Sequence, residues 1–355
     1  MIWISIITAI VLLIAAAGGW FWYSMGQPLY QPGQVRAGKN LLAPLTPPTQ
    51  GDDPAFWQVE PGIQLHHFAV GAGRNVLIVH GGPGAPYSEP WAGLDVLTTA
   101  YRFHYYDQRG AGQSTRPFDR FTSKNYYQNM TTLEQTLGIG AQLADIERIR
   151  QILGDEQLIL IGHSWGGFLA TLYAAEFPER VAALVLVAPA DMLVMPQPGG
   201  DLFAVVRQRL PADMQAEFDA YLKEYLNFGN VFTKSEADLQ AANRAFGKYY
   251  LMTTDLSLPA AEEAAIGGWM VQAMYFSIGQ RHDYRAALQQ ITAPTLVLHG
   301  VNDLQSATVS QGYVDSLVNA QLVTIPDASH FMFEEQPVRF GEAVRTFLQA
   351  ALVAE

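Results

Sequence analysis

The stretch LILIGHSWGGFLATLYAAEFP, residues 158–178, constrains the fold more than any other part of the chain. It begins as a short continuous apolar run of strand length and ends as an apolar helical segment. A strand that is apolar on both faces belongs to a largely parallel sheet covered by helices above and below. At the junction, Gly162-His163-Ser164-Trp165-Gly166 fits G-x-S-x-G in the strand-to-helix context that makes this pattern informative. Side chains on either flank of so tight a turn would collide, so glycine stands there and Ser164 projects into the crevice beyond the strand's carboxyl end. The following helix N-terminus favours negative charge developing nearby. A glycine-rich turn that merely contains serine is the plainer reading, and the strand and helix around it favour a nucleophile instead.

Further apolar runs recur at 75–84, 101–110, 181–190, 293–300 and 320–330, separated by helical stretches. Such alternation predicts an α/β fold with a mostly parallel central sheet flanked by helices. A first part of this core spans 61–190 and a second part 286–355. Between them, 191–285 loses its strand signals and turns to helices rich in Met, Tyr, Phe and Ala. An all-helical insertion between strands of one sheet predicts a lid over the strands' carboxyl ends.

A serine hydroxyl needs a base to take its proton and an acid to orient that base. On a sheet bearing this turn the order along the chain is Ser, acid, His. PTLVLHGVNDLQS places Asp303 just beyond a strand, and VTIPDASHF places His330 beyond the next. His282 precedes the acid's strand and His299 lies in its end, which leaves His330 as the base. Asp327 is the alternative acid, though its surroundings read as a turn. Tetrahedral intermediates also need preorganised N–H donors, and the loop His80-Gly81-Gly82-Pro83-Gly84 follows an early strand. The donors assigned are Gly82 and Trp165, with Gly81 competing for the place of Gly82.

YYDQRGAGQST, residues 105–115, has G-x-G after a strand but Thr115 where a third glycine would complete a dinucleotide fingerprint. Asp107 and Arg109 are therefore expected to organise loops at the cleft rim through mutual or backbone hydrogen bonds. Tyr249, Tyr250, Trp269, Met270, Met274, Tyr275 and Phe276 either line an apolar pocket or form the lid's own packing surface. Among the lid acids Glu217, Glu224, Glu262 and Glu263, most are expected on solvated faces, with one or two open to a cationic substrate.

Residues 1–23 carry no charge, and only Ser5 and Thr8 are polar from Ile2 to Tyr23. About 20 apolar residues suffice to cross a bilayer, and Trp20, Trp22 and Tyr23 suit an interfacial belt. A transmembrane anchor is expected, with Arg36 and Lys39 weakly favouring the cytoplasmic side for the body of the chain. A cleaved signal peptide is the competitor, since Ala15 to Ala17 offer a cleavage site, but the basic start is missing. Residues 24–60, rich in Pro and Gln, read as an extended tether. A net charge of −12 disfavours nucleic acid. With no cysteine and no HExxH pair, neither a metal site nor a bound cofactor is expected.

Taken together, HGGPG at 80–84, DQRGAGQST at 107–115, GHSWGG at 162–167, Asp303 and His330 resemble the α/β-hydrolase superfamily, and within it the proline iminopeptidase branch. The resemblance implies metal-free hydrolysis that releases an N-terminal residue, often proline, from short peptides. Members of that branch hold the substrate's free amine with lid glutamates near a W-x-x-W-E stretch, whereas GGWMVQAMYF has Trp269 without an adjacent acid. An aminopeptidase, an esterase or lactonase for small apolar acyl compounds, and a catalytically silent binding protein at the membrane are the three functional expectations. The partners are accordingly a short-peptide or small-molecule substrate and, through the anchor, a membrane.

Overall fold

The computed structural model describes residues 26–197, 201–254 and 266–352. In chain order the core runs β1 (Phe56–Glu60), β2 (Ile63–Gly71), β3 (Arg74–Val79), β4 (Tyr101–Tyr106), α1 (Tyr126–Leu137), α2 (Ile139–Leu153), β5 (Leu158–His163), α3 (Trp165–Glu176) and β6 (Val181–Val187). The insertion continues with β7 (Val194–Met195), α4 (Leu202–Arg209), α5 (Gln215–Tyr225), α6 (Glu236–Met252), α7 (Trp269–Ile278) and β8 (His282–Asp283). The core then resumes with α8 (Arg285–Leu288), β9 (Thr295–Gly300), α9 (Ala307–Ser316), β10 (Ala320–Ile325), α10 (Met332–Glu335) and α11 (Pro337–Leu352).

One eight-stranded sheet has the order β1-β2-β4-β3-β5-β6-β9-β10. β1 and β2 are antiparallel at one edge, and all pairings from β4 onward are parallel. Alternation along β5 builds both sides of the molecule. Leu158 and Leu160 enter the core shared with α1, α2 and α3, while Ile159 and Ile161 enter the core shared with α11. Each fully buried Leu or Ile contributes about 1.5–3 kcal/mol. Those four side chains together outweigh the strain of about 1–3 kcal/mol that a non-glycine residue stores at positive φ in the turn after β5.

The expected tether is corrected over its described part, residues 26–60. Tyr30 and Val35 are completely buried. The Glu176 carboxylate at the end of α3 accepts from the Tyr30 hydroxyl at 2.8 Å and from the Gly33 and Arg36 N–H groups at 2.7 and 3.0 Å. Arg148 of α2 donates to the Ala43 and Pro44 carbonyls, and β1 extends the sheet. Backbone polar groups rather than a periodic apolar face do the docking, so the segment lacks the pattern that announces a helix or strand.

The expected anchor, residues 1–23, lies outside the described residues. Among the described residues no helix is long and apolar enough to cross a membrane.

The insertion between β6 and β9 is helical apart from the short antiparallel pair β7 and β8. Val206, Leu210, Phe218 and Tyr249 give it a small core of its own. α7 differs, because Trp269, Met270, Ala273 and Met274 join the main core and the helix packs on α1.

Candidate active site

Ser164 occupies the turn between β5 and α3 at φ 53° and ψ −120°. Its N–H donates to the Val187 carbonyl at 2.9 Å, and its carbonyl accepts from Ala190 N–H at 3.0 Å, so β6 clamps the turn. A Cβ on Gly162 would stand 2.3 Å from the Gly166 carbonyl oxygen, and one on Gly166 would stand 2.0 Å from the Val79 carbonyl oxygen. No side chain fits at either place, which is the physical content of the two glycines.

Asp303 follows β9 and His330 follows β10. The two loops are stitched by Val301 N–H to Ile325 and Asn302 N–H to Ala328, both through carbonyls. The result puts His330 Nδ1 at 3.0 and 3.2 Å from the two Asp303 carboxylate oxygens. A carboxylate only accepts, so Nδ1 carries a proton and Nε2 is the nitrogen left for the nucleophile. Burial would raise the Asp303 carboxyl, but the neighbouring imidazole, its hydrogen bond and the Gln305 N–H outweigh it and hold the group below its ordinary range. The ring's other polar neighbour is Gln305 Nε2, at 3.5 Å. Asp327, the alternative acid, sits at φ 57° in an exposed turn and pairs with Arg339.

The loop after β3 passes beside the serine, since a Cβ on Gly81 would stand 3.1 Å from Ser164 Cβ. Neither the Gly82 nor the Trp165 N–H has an acceptor among the described residues. Ser164, His330, Asp303, Gly82 and Trp165 all line one cavity at the carboxyl ends of the strands. The arrangement offers a hydroxyl, an imidazole, a carboxylate that orients it, and two unengaged N–H donors.

Residues 74–337 match the model of a family described as alpha/beta hydrolase fold. The chain belongs to that family. It is 23% identical to a proline iminopeptidase from Saccharolobus solfataricus, over 78% of this chain and 86% of that one. A proline iminopeptidase from Lactobacillus delbrueckii subsp. bulgaricus is 27% identical over 77% and 89% of the two chains. Among solved structures, a thermophilic esterase from Thermogutta terrifontis superposes with a TM-score of 0.51 at 25% identity, covering 81% of this chain and 94% of that one.

The cavity of this α/β hydrolase measures about 2300 Å³ and is walled mainly by apolar groups. Of the aromatic and methionine side chains expected in the insertion, Tyr250, Met274, Tyr275 and Phe276 line it. Trp269 and Met270 are core residues, and Tyr249 packs in the insertion's own cluster. Tyr250 stands edge-on to His330 with ring centroids 6.0 Å apart, and its buried hydroxyl has no partner among the described residues. Glu217 accepts from Tyr249 and Glu224 pairs with Lys234, while Glu262 and Glu263 lie outside the described residues. Glu236, which carries no distinguishing sequence signal, is committed to the Gly268 and Trp269 N–H groups.

Asp107 and Arg109 do not meet at a rim. Asp107 pairs with His66 and accepts from Gln113 N–H. Arg109, fully buried, forks onto Asp145 and also reaches Glu60 and the Thr136 carbonyl. Their role is structural, at a depth that the G-x-G spacing could not convey. His282 and His299 are likewise engaged elsewhere, with the Ile278 and Met192 carbonyls and with Ser310. Among the described residues no cluster of His, Cys, Asp or Glu is placed to hold a metal ion.

Sequence reasoning missed Gln305, Tyr87 and His163 as parts of the site. For His163 the available signal was its position directly before the nucleophile.

Proposed function

We propose that this α/β hydrolase cleaves carboxylic esters of apolar acids through an acyl-enzyme. Ser164 Oγ attacks the ester carbonyl carbon while His330 Nε2 takes the hydroxyl proton, with Asp303 holding the imidazole and balancing its positive charge. The Gly82 and Trp165 N–H groups receive the oxyanion, a contribution of about 10²–10³ in rate for one such donor. The C–O bond then breaks, and the alcohol leaves with the proton from His330. Water repeats the sequence on the acyl-enzyme, releasing the acid and restoring Ser164. The Ser164 to His330 hydrogen bond completes when the ester occupies the cavity.

The observation that carries this reading is the cavity. Pockets for drug-sized molecules run to about 300–1,000 Å³, and this one, at about 2300 Å³ with mostly apolar walls, has room for a long acyl chain. An aminopeptidase is the second reading, supported by the relatives named proline iminopeptidase. It needs a carboxylate for the free amine. Glu217 and Glu224 are engaged elsewhere. Asp191, at the start of the insertion, lines the cavity, and burial raises its carboxyl. An intact nucleophile, base and acid speak against a silent binding protein.

The proposal also keeps residues 1–23 as a membrane anchor. Gln27 and Leu29, just after that segment, line the cavity, which would bring its mouth near the bilayer.

The deciding comparison is kcat/KM for p-nitrophenyl esters from acetate to dodecanoate, against prolyl p-nitroanilide free and N-blocked. Rising values with chain length and little turnover of either anilide are expected. Preference for the free prolyl anilide over every ester would overturn the ester reading in favour of the aminopeptidase.

A further inference from the structure

His163 precedes the nucleophile, and its buried imidazole packs on the His330 ring, with centroids 4.7 Å apart, and among Trp91, Phe331 and Phe333, with ring centroids 6.1, 5.2 and 5.1 Å away. Both ring nitrogens are engaged. Nε2 lies 2.9 Å from the His330 carbonyl oxygen, and Nδ1 lies 2.5 Å from the Tyr87 hydroxyl. A carbonyl can only accept, so Nε2 carries the hydrogen and Nδ1 must accept from Tyr87 O–H. Tyr87 belongs to the loop after β3 that also carries the proposed oxyanion donor Gly82. Burial first, and then the nearby His330, push the His163 imidazole well below its ordinary pKa, in keeping with a neutral ring in this aromatic box.

Resting on the serine hydrolase reading above, we propose that Tyr87 and His163 are positioning residues, which tie the main chain of the base to the nucleophile turn and the oxyanion loop. The link joins positions 167 residues apart through one imidazole. His330 is thereby held at two points, its Nδ1 by Asp303 and its backbone carbonyl by His163. The His330 carbonyl selects the tautomer, because a hydrogen on Nδ1 would leave the Nε2 lone pair facing that carbonyl, and the Tyr87 hydroxyl then donates to Nδ1.

The test uses the full chain with three substitutions, Tyr87→Phe, His163→Leu and His163→Gln. Leucine fills the aromatic box without a donor, whereas glutamine can present an amide N–H near the place of Nε2. For Tyr87→Phe, kcat on an ester is expected to fall about tenfold with KM within about twofold, the lower end of what loss of an outer partner costs a ligating histidine. His163→Leu is expected to lose at least as much, and His163→Gln to recover most of that loss. ¹⁵N-histidine NMR should show His163 neutral and as the Nε2–H tautomer in the native chain. Equal kcat for His163→Leu and the native chain, unchanged kcat in Tyr87→Phe, or an Nδ1–H tautomer in the native chain would overturn the proposal. The NMR readout is independent of turnover. An inactive native chain that still shows the Nε2–H tautomer would remove the hydrolase reading and leave the link from His163 to His330 standing.

Discussion

Asp303 and His330, 27 residues apart in the chain, meet with both carboxylate oxygens within 3.2 Å of Nδ1. The parallel pairing of β9 with β10, in register up to Gly300 opposite Ile325, brings their exit loops together. Gly300 is packed so closely that an added Cβ would stand 2.1 Å from the Ser329 carbonyl oxygen.

Replacing the acid tests whether this pairing serves catalysis. Asp303→Asn keeps the shape but lets the imidazole adopt the wrong tautomer, and a loss of about 10⁴-fold in kcat is expected. Stopped ester turnover with an unaltered circular dichroism spectrum would agree. A loss under tenfold would assign the acid's role elsewhere.

Glu134 gives a pH dependence of stability with an unusual sign. Burial raises its carboxyl to about 7, only partly opposed by the Ser277 hydroxyl that donates to it at 2.5 Å. From roughly pH 4.5 to 7 the unfolded chain has released this proton while the folded chain retains it, so stability falls as pH rises through that window. A gap of about 2.5 units corresponds to about 3 kcal/mol. Glu134→Gln should melt with the native chain at pH 4.5 and above it at pH 8, in thermal melts across pH. Parallel curves at both pH values would contradict this sign.

Glu176 anchors the segment that looks like a tether. Glu176→Ala would leave the Tyr30 hydroxyl and the Gly33 and Arg36 N–H groups without their carboxylate. Each buried donor left unmade costs about 1–3 kcal/mol, so a loss of about 3 kcal/mol in urea unfolding is expected. Limited proteolysis should then cut first within residues 26–45. Unchanged protection there would mean that the remaining contacts, those of Arg148, Gln151, Ser277 and Tyr284 among them, hold the segment without Glu176.

The α/β class was legible because it rests on local grammar, and the same grammar nominated Ser164, Asp303 and His330: an apolar strand, a tight glycine turn, and an acid or imidazole just past a strand's end. The insertion was legible from the loss of strand runs between Asp191 and Arg285. What escaped depends on contacts with no local signature. Tyr87 lies in an irregular loop, and its hydroxyl matters only because folding brings His163 to it. Residues 26–45 dock through carbonyls, N–H groups and one tyrosine, which composition reads as a linker. Arg109 sits in an apparent surface motif, yet its partners come from β1 and α2. The preference between peptide and ester also shifted, because cavity size and the engagement of Glu217 and Glu224 are properties of packing.

The most direct measurement is the site of covalent capture by a fluorophosphonate, read by peptide mass spectrometry on the folded full chain. A single adduct on Ser164, abolished in Ser164→Ala and slowed strongly in His330→Ala, is the expected result. An unlabelled native chain, or an adduct that persists in Ser164→Ala, would contradict the account.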